Sequence, residues 1–188
     1  MCAKLLPNYY KVNPIADIQV LTPTRHGELG TDNLNKILQE ALNKNTLCLR
    51  RGANEYSKGD KVMQIKNNYD KNVFNGDIGT IASINLIDKN LTVNFDGVNV
   101  TYDILELDEL MLSYACTVHK SQGGEHPIVI LPLTFKHFMM LERNLLYTGV
   151  TRAKKVCILI GEKRAIGYAV KNNEAHKRYT SLAERLRK

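Results

Sequence analysis

Short apolar runs bounded by turn residues recur in the second half of the chain. They read as buried strands at 112–118, 128–131 and 156–160. Between the last two, residues 144–153 have a helical pattern ending in basic side chains. Nearer the amino end, 15–22 is a further strand, with Ile18 and Val20 apolar, followed by a loop at 23–30 without periodicity. Leu34, Ile37, Leu38, Ala41 and Leu42 then recur at helical spacing as one apolar stripe. Thr31 or Asp32 is placed to accept hydrogen bonds from the open amides at the start of that helix. Strands alternating with helices predict an α/β layer with a largely parallel sheet. Ligands of such sheets gather at the carboxyl ends of the strands, which puts the 119–125 turn and Arg152 where chemistry is expected.

The texture changes at Lys58. Residues 59–66 alternate in strand fashion, 67–72 are polar, and Asn75-Gly76 is a turn signal. Strands at 79–85 and 91–95 are joined around 88–90, and Asp96-Gly97 marks a hairpin before 98–102. Short strands with turns at this spacing predict a small antiparallel β-barrel. It interrupts the α/β pattern, which resumes at Leu112. The resulting division is a tail or linker at 1–14, an α/β unit made of 15–55 and 111–188, and an inserted barrel at 56–110. Residues 46–54 fit a short strand followed by a linker. After Gly161 the pattern is helical. Tyr168, Ala169, Ala175, Tyr179, Leu182, Ala183 and Leu186 form its apolar side, and Lys163, Arg164, Lys171, Lys177, Arg178, Arg185, Arg187 and Lys188 its solvated one. Basic residues late in a helix also suit its dipole.

At 188 residues and 44% hydrophobic, the chain suits one medium domain, or a domain with a small insert, around a real core. No apolar run reaches the about 18 residues of a membrane span. The segment 1–7 is too short, and too soon broken by Pro7, for a signal peptide, so a cytoplasmic protein is expected. Cys2, Cys48, Cys116 and Cys157 lie far apart without a C-x-x-C pair, which argues against zinc and against a disulfide framework. Cys116 and Cys157 fall inside apolar strands as small core residues. His26, His126, His137 and His176 have no metal-ligand spacing, and no resident metal is expected. The formal charge of +7 favours a polyanionic partner, with solvated lysines as the ordinary alternative.

Three blocks carry a resemblance. Thr117-Val118-His119-Lys120-Ser121-Gln122-Gly123-Gly124-Glu125 resembles motif V of superfamily-1 helicases, and Leu146-Tyr147-Thr148-Gly149-Val150-Thr151-Arg152-Ala153 resembles motif VI. Gln19-Val20-Leu21-Thr22-Pro23-Thr24-Arg25-His26-Gly27 resembles motif IV. The variant is similar to the RecD-like branch, which includes the exodeoxyribonuclease V α-subunit of DNA repair and recombination. The resemblance implies a RecA-like (P-loop NTPase-type) parallel-sheet domain with a Src-homology-3-like barrel inserted between motifs IV and V. It also implies part of an ATP-dependent DNA helicase moving 5′ to 3′.

Phosphoryl transfer from ATP needs phosphate and metal cradling on one side and positive charge for the γ-phosphoryl on the other. By resemblance Arg152 is the arginine finger, although a lone arginine is more often a surface residue paired with a carboxylate. Arg25 would be a second arginine facing the triphosphate. Gly123 and Gly124 permit close backbone approach, Glu125 suits a ribose hydroxyl, Gln122 would couple nucleotide to DNA, and Tyr147 belongs to the nucleotide side. Thr117, His119 and Lys120 resemble the face that touches DNA phosphates and sugars, where contacts carry no sequence information. A capping or core histidine is the alternative for His119. In the barrel, Lys61, Lys66 and Tyr69 mix basic and aromatic side chains as single-strand grooves do, with Phe74 expected in the core.

No G-x-x-x-x-G-K-[ST] is present, and no buried strand ends in paired acidic residues that would hold magnesium. ATP and Mg2+ would therefore be held mainly by a preceding amino-terminal RecA-like domain of the same protein. The 188 residues alone are expected to be inactive. The expected partners are single-stranded DNA, that domain and other recombination subunits. Two other readings of the same residues are a stand-alone nucleic-acid-binding module without catalysis and the helicase part of a conjugative relaxase.

Overall fold

Helix α1 (Leu5–Tyr10) leads to strand β1 (Ile18–Thr22) and helix α2 (Thr31–Leu42). Then come β2 (Cys48–Arg51), β3 (Asn54–Ser57), β4 (Lys61–Gln64), β5 (Ile78–Asn85), β6 (Asn90–Phe95), β7 (Val98–Asp103) and β8 (Leu110–Leu112). Strand β9 (Ala115–Thr117), β10 (His126–Leu133), α3 (Arg143–Val150), β11 (Ala153–Gly161) and α4 (Lys163–Lys171) complete the order. The structure, a computed structural model, describes residues 1–173.

Four strands pair in the order β11-β10-β1-β9, all parallel. The runs of the inner strands β10 and β1 have both faces covered, as parallel sheets require, whereas the outer strand β11, expected to be buried, leaves Leu159 and Ile160 each 37% exposed. Alternate residues point to opposite faces. Ile18, Val20, Ala115, Ile128 and Ile130 form one core with Leu6 of α1 and Leu34 and Leu38 of α2. Leu21, Cys116, Val129 and Leu131 form the other with Leu145 of α3. A second sheet, antiparallel in the order β7-β6-β5-β4-β8, closes over Val62, Ile81, Leu91, Val93, Tyr102 and Leu110. The expected Asp96-Gly97 hairpin joins β6 to β7, with Phe95 opposite Val98. Strand β4 serves both layers, since Val62 enters the second core while Met63 packs with Leu21 and Cys116.

The structure departs from the sequence expectation in several places. The strand expected at 112–118 is two strands. Leu112 pairs with Val62 in the antiparallel sheet, whereas Ala115 pairs with Val20 in the parallel one. One apolar run thus crosses between layers at Ser113 and Tyr114, a change of partner that local pattern does not signal. The segment 1–14 is not a tail, because Leu6 is buried against the sheet with Cys2 and Val12 beside it. Pro7 is tolerated there because it lies in the first turn of α1, where its missing N–H costs nothing. Residues 46–54 do not end in a linker; β2 and β3 form a hairpin whose Leu49 and Tyr56 belong to the second core.

Helix α2 is capped at Gly30 rather than by a side chain of Thr31 or Asp32. The amides of Thr31 and Asp32 donate instead to the carbonyls of Thr24 and Arg25, at 3.2 and 3.1 Å. A β-carbon on Gly30 would collide with the Arg25 and His26 carbonyl groups, so the loop closes onto the helix only with glycine there. Phe74 is 41% exposed rather than core, edge-on to Tyr69 with ring centres 6.0 Å apart. In α4, Ala165 and Ala169 bury the inner side, but Ala175, Tyr179, Leu182, Ala183, Leu186 and the basic residues from Lys177 on lie outside the described residues.

Candidate functional site

The parallel register sorts the motif residues by height. Thr22 and Thr117 are partners at the carboxyl ends of β1 and β9, while His126 and Ala153 are partners at the amino ends of β10 and β11. Arg25 follows Thr22, and Arg152 precedes Ala153. Since Ile18 is level with Ile128, the two arginines are separated by about six residues of strand, about 20 Å at 3.3 Å per residue. Arg25 and Arg152 therefore do not converge on one phosphate, and Arg152 does not sit at a strand carboxyl end. The 118–125 turn runs from one level to the other.

At the carboxyl end, Arg25, Lys36, Met111, Thr117 and Lys120 line a groove of about 620 Å³ between α2 and the antiparallel sheet. His119 is exposed, which rules out its being a core residue. The Lys120 amide donates to Thr117 Oγ1 at 3.3 Å, and its Nζ lies 3.2 Å from Met111 Sδ. The groove also carries acids, of which all but Glu40 are in ion pairs among the described residues. Glu55 meets Arg50 at 2.8 Å, Asp108 meets Arg51 at 3.0 Å, and Asp32 meets both Arg25 and His26. A hydrogen bond from Cys48 and then Arg50 hold the Glu55 carboxyl below the usual range, and Arg51 does the same for Asp108. Among the described residues neither Lys36 nor Lys120 has a carboxylate partner, so these two cations of the groove wall stand against one unpaired acid, Glu40. Lys66 and Tyr69 are exposed on the loop that leaves β4.

At the amino end, Arg152 is half-buried and bonded only to neutral oxygens. Its Nη1 donates to Gly124 O at 3.1 Å, its Nε to Thr148 O at 3.3 Å, and its Nη2 to Thr151 Oγ1 at 3.4 Å. No carboxylate among the described residues offsets this guanidinium, so the ordinary surface ion pair is absent. The neighbouring His126 responds: burial first, then Lys61, Arg152 and Lys154, push its imidazole down to about 4. Gly123 has φ of +87°, a value that favours glycine, and it lets the turn reverse toward Gly124. Glu125 pairs with Lys154 at 3.3 Å in solvent, and Gln122 is exposed beside it. Tyr147 stands 70% exposed on α3, one turn before Thr151.

Lys61 is a correction. It is only 4% exposed, with Nζ 3.5 Å from Ile18 O, so it cannot reach DNA. Strand β4 is buried on both faces, which alternation at 59–66 did not reveal. Burial holds its ammonium down to about 8 from 10.5. The folded chain thus binds fewer protons than the unfolded one between these values, and stability rises with pH across that window. The penalty, about 3 kcal/mol at 1.36 kcal/mol per unit, is fully present below pH 8 and gone above pH 10.5. Lys61→Met should accordingly stabilise the chain by about 2 kcal/mol at neutral pH, with the gain vanishing in alkali. Urea midpoints at pH 7 and in strong alkali check this, and a gain independent of pH would refute it.

Residues 34–95 match the family described as the ATP-dependent RecD-like DNA helicase SH3 domain, and residues 112–160 match the UvrD-like helicase C-terminal domain. The chain is 42% identical over 171 residues to the ATP-dependent RecD2 DNA helicase of Deinococcus radiodurans, covering 90% of this chain and 23% of that protein. The chain belongs to the RecD-like helicases, as their carboxyl-terminal region. The RecD subunit of the RecBCD enzyme of Haemophilus influenzae is 30% identical over 171 residues, covering 90% of this chain and 25% of the subunit. The RecD-like chain therefore spans about a quarter of the length of these relatives. Its fold is that of Pif1 helicases. The structure from Candida albicans superposes with a TM-score of 0.55 at 16% identity, over 89% of this chain and 51% of that one. A Pif1 structure describing unwinding at forked DNA gives 0.53 at 17%, over 83% and 45%. Both have the RecA-like α/β layer, and the inserted antiparallel unit of this RecD-like chain is the Src-homology-3-like one.

Proposed function

We propose that this region supplies the arginine side of an ATP cleft and one wall of a single-stranded DNA track in a longer RecD-like helicase translocating 5′ to 3′. One observation carries the reading: a single turn has Thr117 and Lys120 in the groove at one end and Gly124 bonded to Arg152 at the other. Movement at either end must pass along those residues. Arg152, uncompensated and forked, fits a phosphoryl oxygen, while Glu125, Gln122, Gly123, Gly124 and Tyr147 border the same place. Among the described residues no acidic or histidine cluster fits a metal, so magnesium would be held by the amino-terminal RecA-like domain together with most of the ATP. Bound ATP would supply the phosphoryl group whose transfer drives opening and closing between domains. Arg152 would place positive charge on that group, and Gln122 would relay the change to the groove. Arg25, lying with Thr117 and Lys120, is reassigned to the DNA phosphates. His119, Lys66 and Tyr69 extend the same track, the tyrosine as a ring on which a base stacks.

The proposal includes a discontinuous motor unit, 15–55 with 111–188, and an insert at 56–110, with the β2–β3 hairpin packed into the insert's core. It includes a cytoplasmic location and partnership with other recombination subunits. No helix of the described residues is long and apolar enough to cross a membrane.

The test uses the chain itself. It should bind single-stranded DNA weakly, with log affinity falling linearly in log salt, and it should not hydrolyse ATP. Arg25→Ala combined with Lys120→Ala should reduce the salt slope by about 1.4, at about 0.7 for each phosphate no longer neutralised. Salt-insensitive binding would remove the groove from the argument. DNA-stimulated hydrolysis by pure material would show that no other domain is needed.

A further inference from the structure

Helix α2 carries Asn35 and Gln39 and is followed by its C-cap Asn43; these amide side chains stand at intervals of four, along one side of the helix. The first grips the outer strand of the parallel sheet. Asn35 Oδ1 accepts from Ala115 N at 2.8 Å while Asn35 Nδ2 donates to Ala115 O at 2.9 Å. A single side chain thus satisfies both backbone groups of an edge residue. The other two reach the inserted unit. Gln39 Nε2 donates to Glu55 O at 3.1 Å and Asp60 Oδ2 at 2.5 Å. Asn43 Nδ2 donates to Lys58 O at 3.0 Å and Asp60 Oδ1 at 2.6 Å. Asp60 is fully buried, and it also accepts from Ser57 N at 2.7 Å and from Tyr114 OH at 2.9 Å.

The two layers on either side of the groove are therefore tied through one ladder of amides. Asn35 and Gln39 themselves stand in the groove wall with Thr117 and Lys120. Apolar contacts tolerate sliding, whereas hydrogen bonds weaken steeply once stretched or bent. We propose that Asn35, Gln39 and Asn43 are positioning residues that set the separation of the parallel sheet from the inserted unit, and with it the width of the single-strand track. This rests on the nucleic-acid reading of the groove given above.

The experiment measures binding of fluorescein-labelled oligothymidylate by anisotropy, beside thermal unfolding, on the whole chain. Gln39→Ala should weaken binding about tenfold, or about 1.4 kcal/mol, at temperatures well below its unfolding transition. Its salt slope should stay at the wild-type value, because no cation that meets phosphate is removed. Asn43→Asp keeps the shape but puts a carboxyl against Asp60. Two carboxylates this close repel once both are ionised, and acid should restore the hydrogen bond by a shared proton. Tyr114 from the strand crossover faces the same place, its hydroxyl pushed well above its usual range by burial and then by Asp60, so it stays neutral throughout. The backbones of Glu55 and Lys58 face it too, with the Glu55 carboxylate turned to Arg50. Asn43→Asp should thus bind poorly at neutral pH and regain affinity relative to wild type as pH falls. Wild-type affinity in both variants, even with a lowered melting temperature, would overturn the inference alone. Failure of the unaltered chain to bind would overturn the nucleic-acid reading and the inference together.

Discussion

Arg152→Ala in a full-length helicase carrying this region should lower ATP hydrolysis by about 10³-fold or more while ATP binding largely survives. The guanidinium is half-buried, bonded only to Gly124 O, Thr148 O and Thr151 Oγ1, and free of any carboxylate among the described residues. Bonds to carbonyl oxygens hold it in place without neutralising it. A charge kept whole in this way acts on negative charge that develops as the phosphoryl group transfers, and much less on the ground state. Arg152→Lys should rescue little, because a point charge on a flexible stem does not reproduce the fork. Single-turnover hydrolysis measured beside equilibrium binding of a fluorescent nucleotide separates the two effects. If hydrolysis and binding fall together with thermal stability, Arg152 acts by tying the 118–125 turn to α3, and the finger assignment fails.

Asp60→Ala should be among the most destabilising single substitutions in the chain. Its buried carboxylate accepts from Gln39, Asn43, Ser57 and Tyr114, and of these four donors Gln39 and Asn43 keep only the carbonyls of Glu55 and Lys58 when it is removed. Leaving buried donors unpaired costs about 1–3 kcal/mol each where water cannot replace the partner. Allowing for water reaching some of them, a loss of about 4 kcal/mol is expected. For a chain of this size that lowers the melting temperature by about 8–16 °C. Asp60→Asn should fall between, since it keeps one acceptor oxygen but turns an amide toward the donors. Calorimetry of both variants checks the order, and an Asp60→Ala chain melting within a few degrees of wild type would mean that the network is not holding the layers.

Much of the α/β layer was legible. Strands of the parallel sheet announce themselves because their runs are mostly apolar, and those expected at 15–22, 128–131 and 156–160 have no helical period to compete with. The Asp96-Gly97 hairpin was legible for an equally local reason. Strand β3 was not, because Asn54, Glu55 and Ser57 carry no alternation and only Tyr56 enters the core. The amides at 35, 39 and 43 offered a readable signal in their spacing, masked by the stronger apolar stripe on the same helix.

By itself the sequence determined the strands, the helix stripe, the three motif blocks and the arginine that precedes β11, because side-chain period and motif order are properties of neighbouring residues. Only the tertiary structure decided that Arg25 and Arg152 lie at opposite ends of the sheet, that Lys61 is buried and that Asp60 joins two layers. Each of those outcomes depends on contacts between distant residues, such as Arg152 with Gly124 across 28 positions, Lys61 with Ile18 across 43 and Asn35 with Ala115 across 80. Local periodicity carries no information about strand level or about which charged group a neighbouring layer will cover.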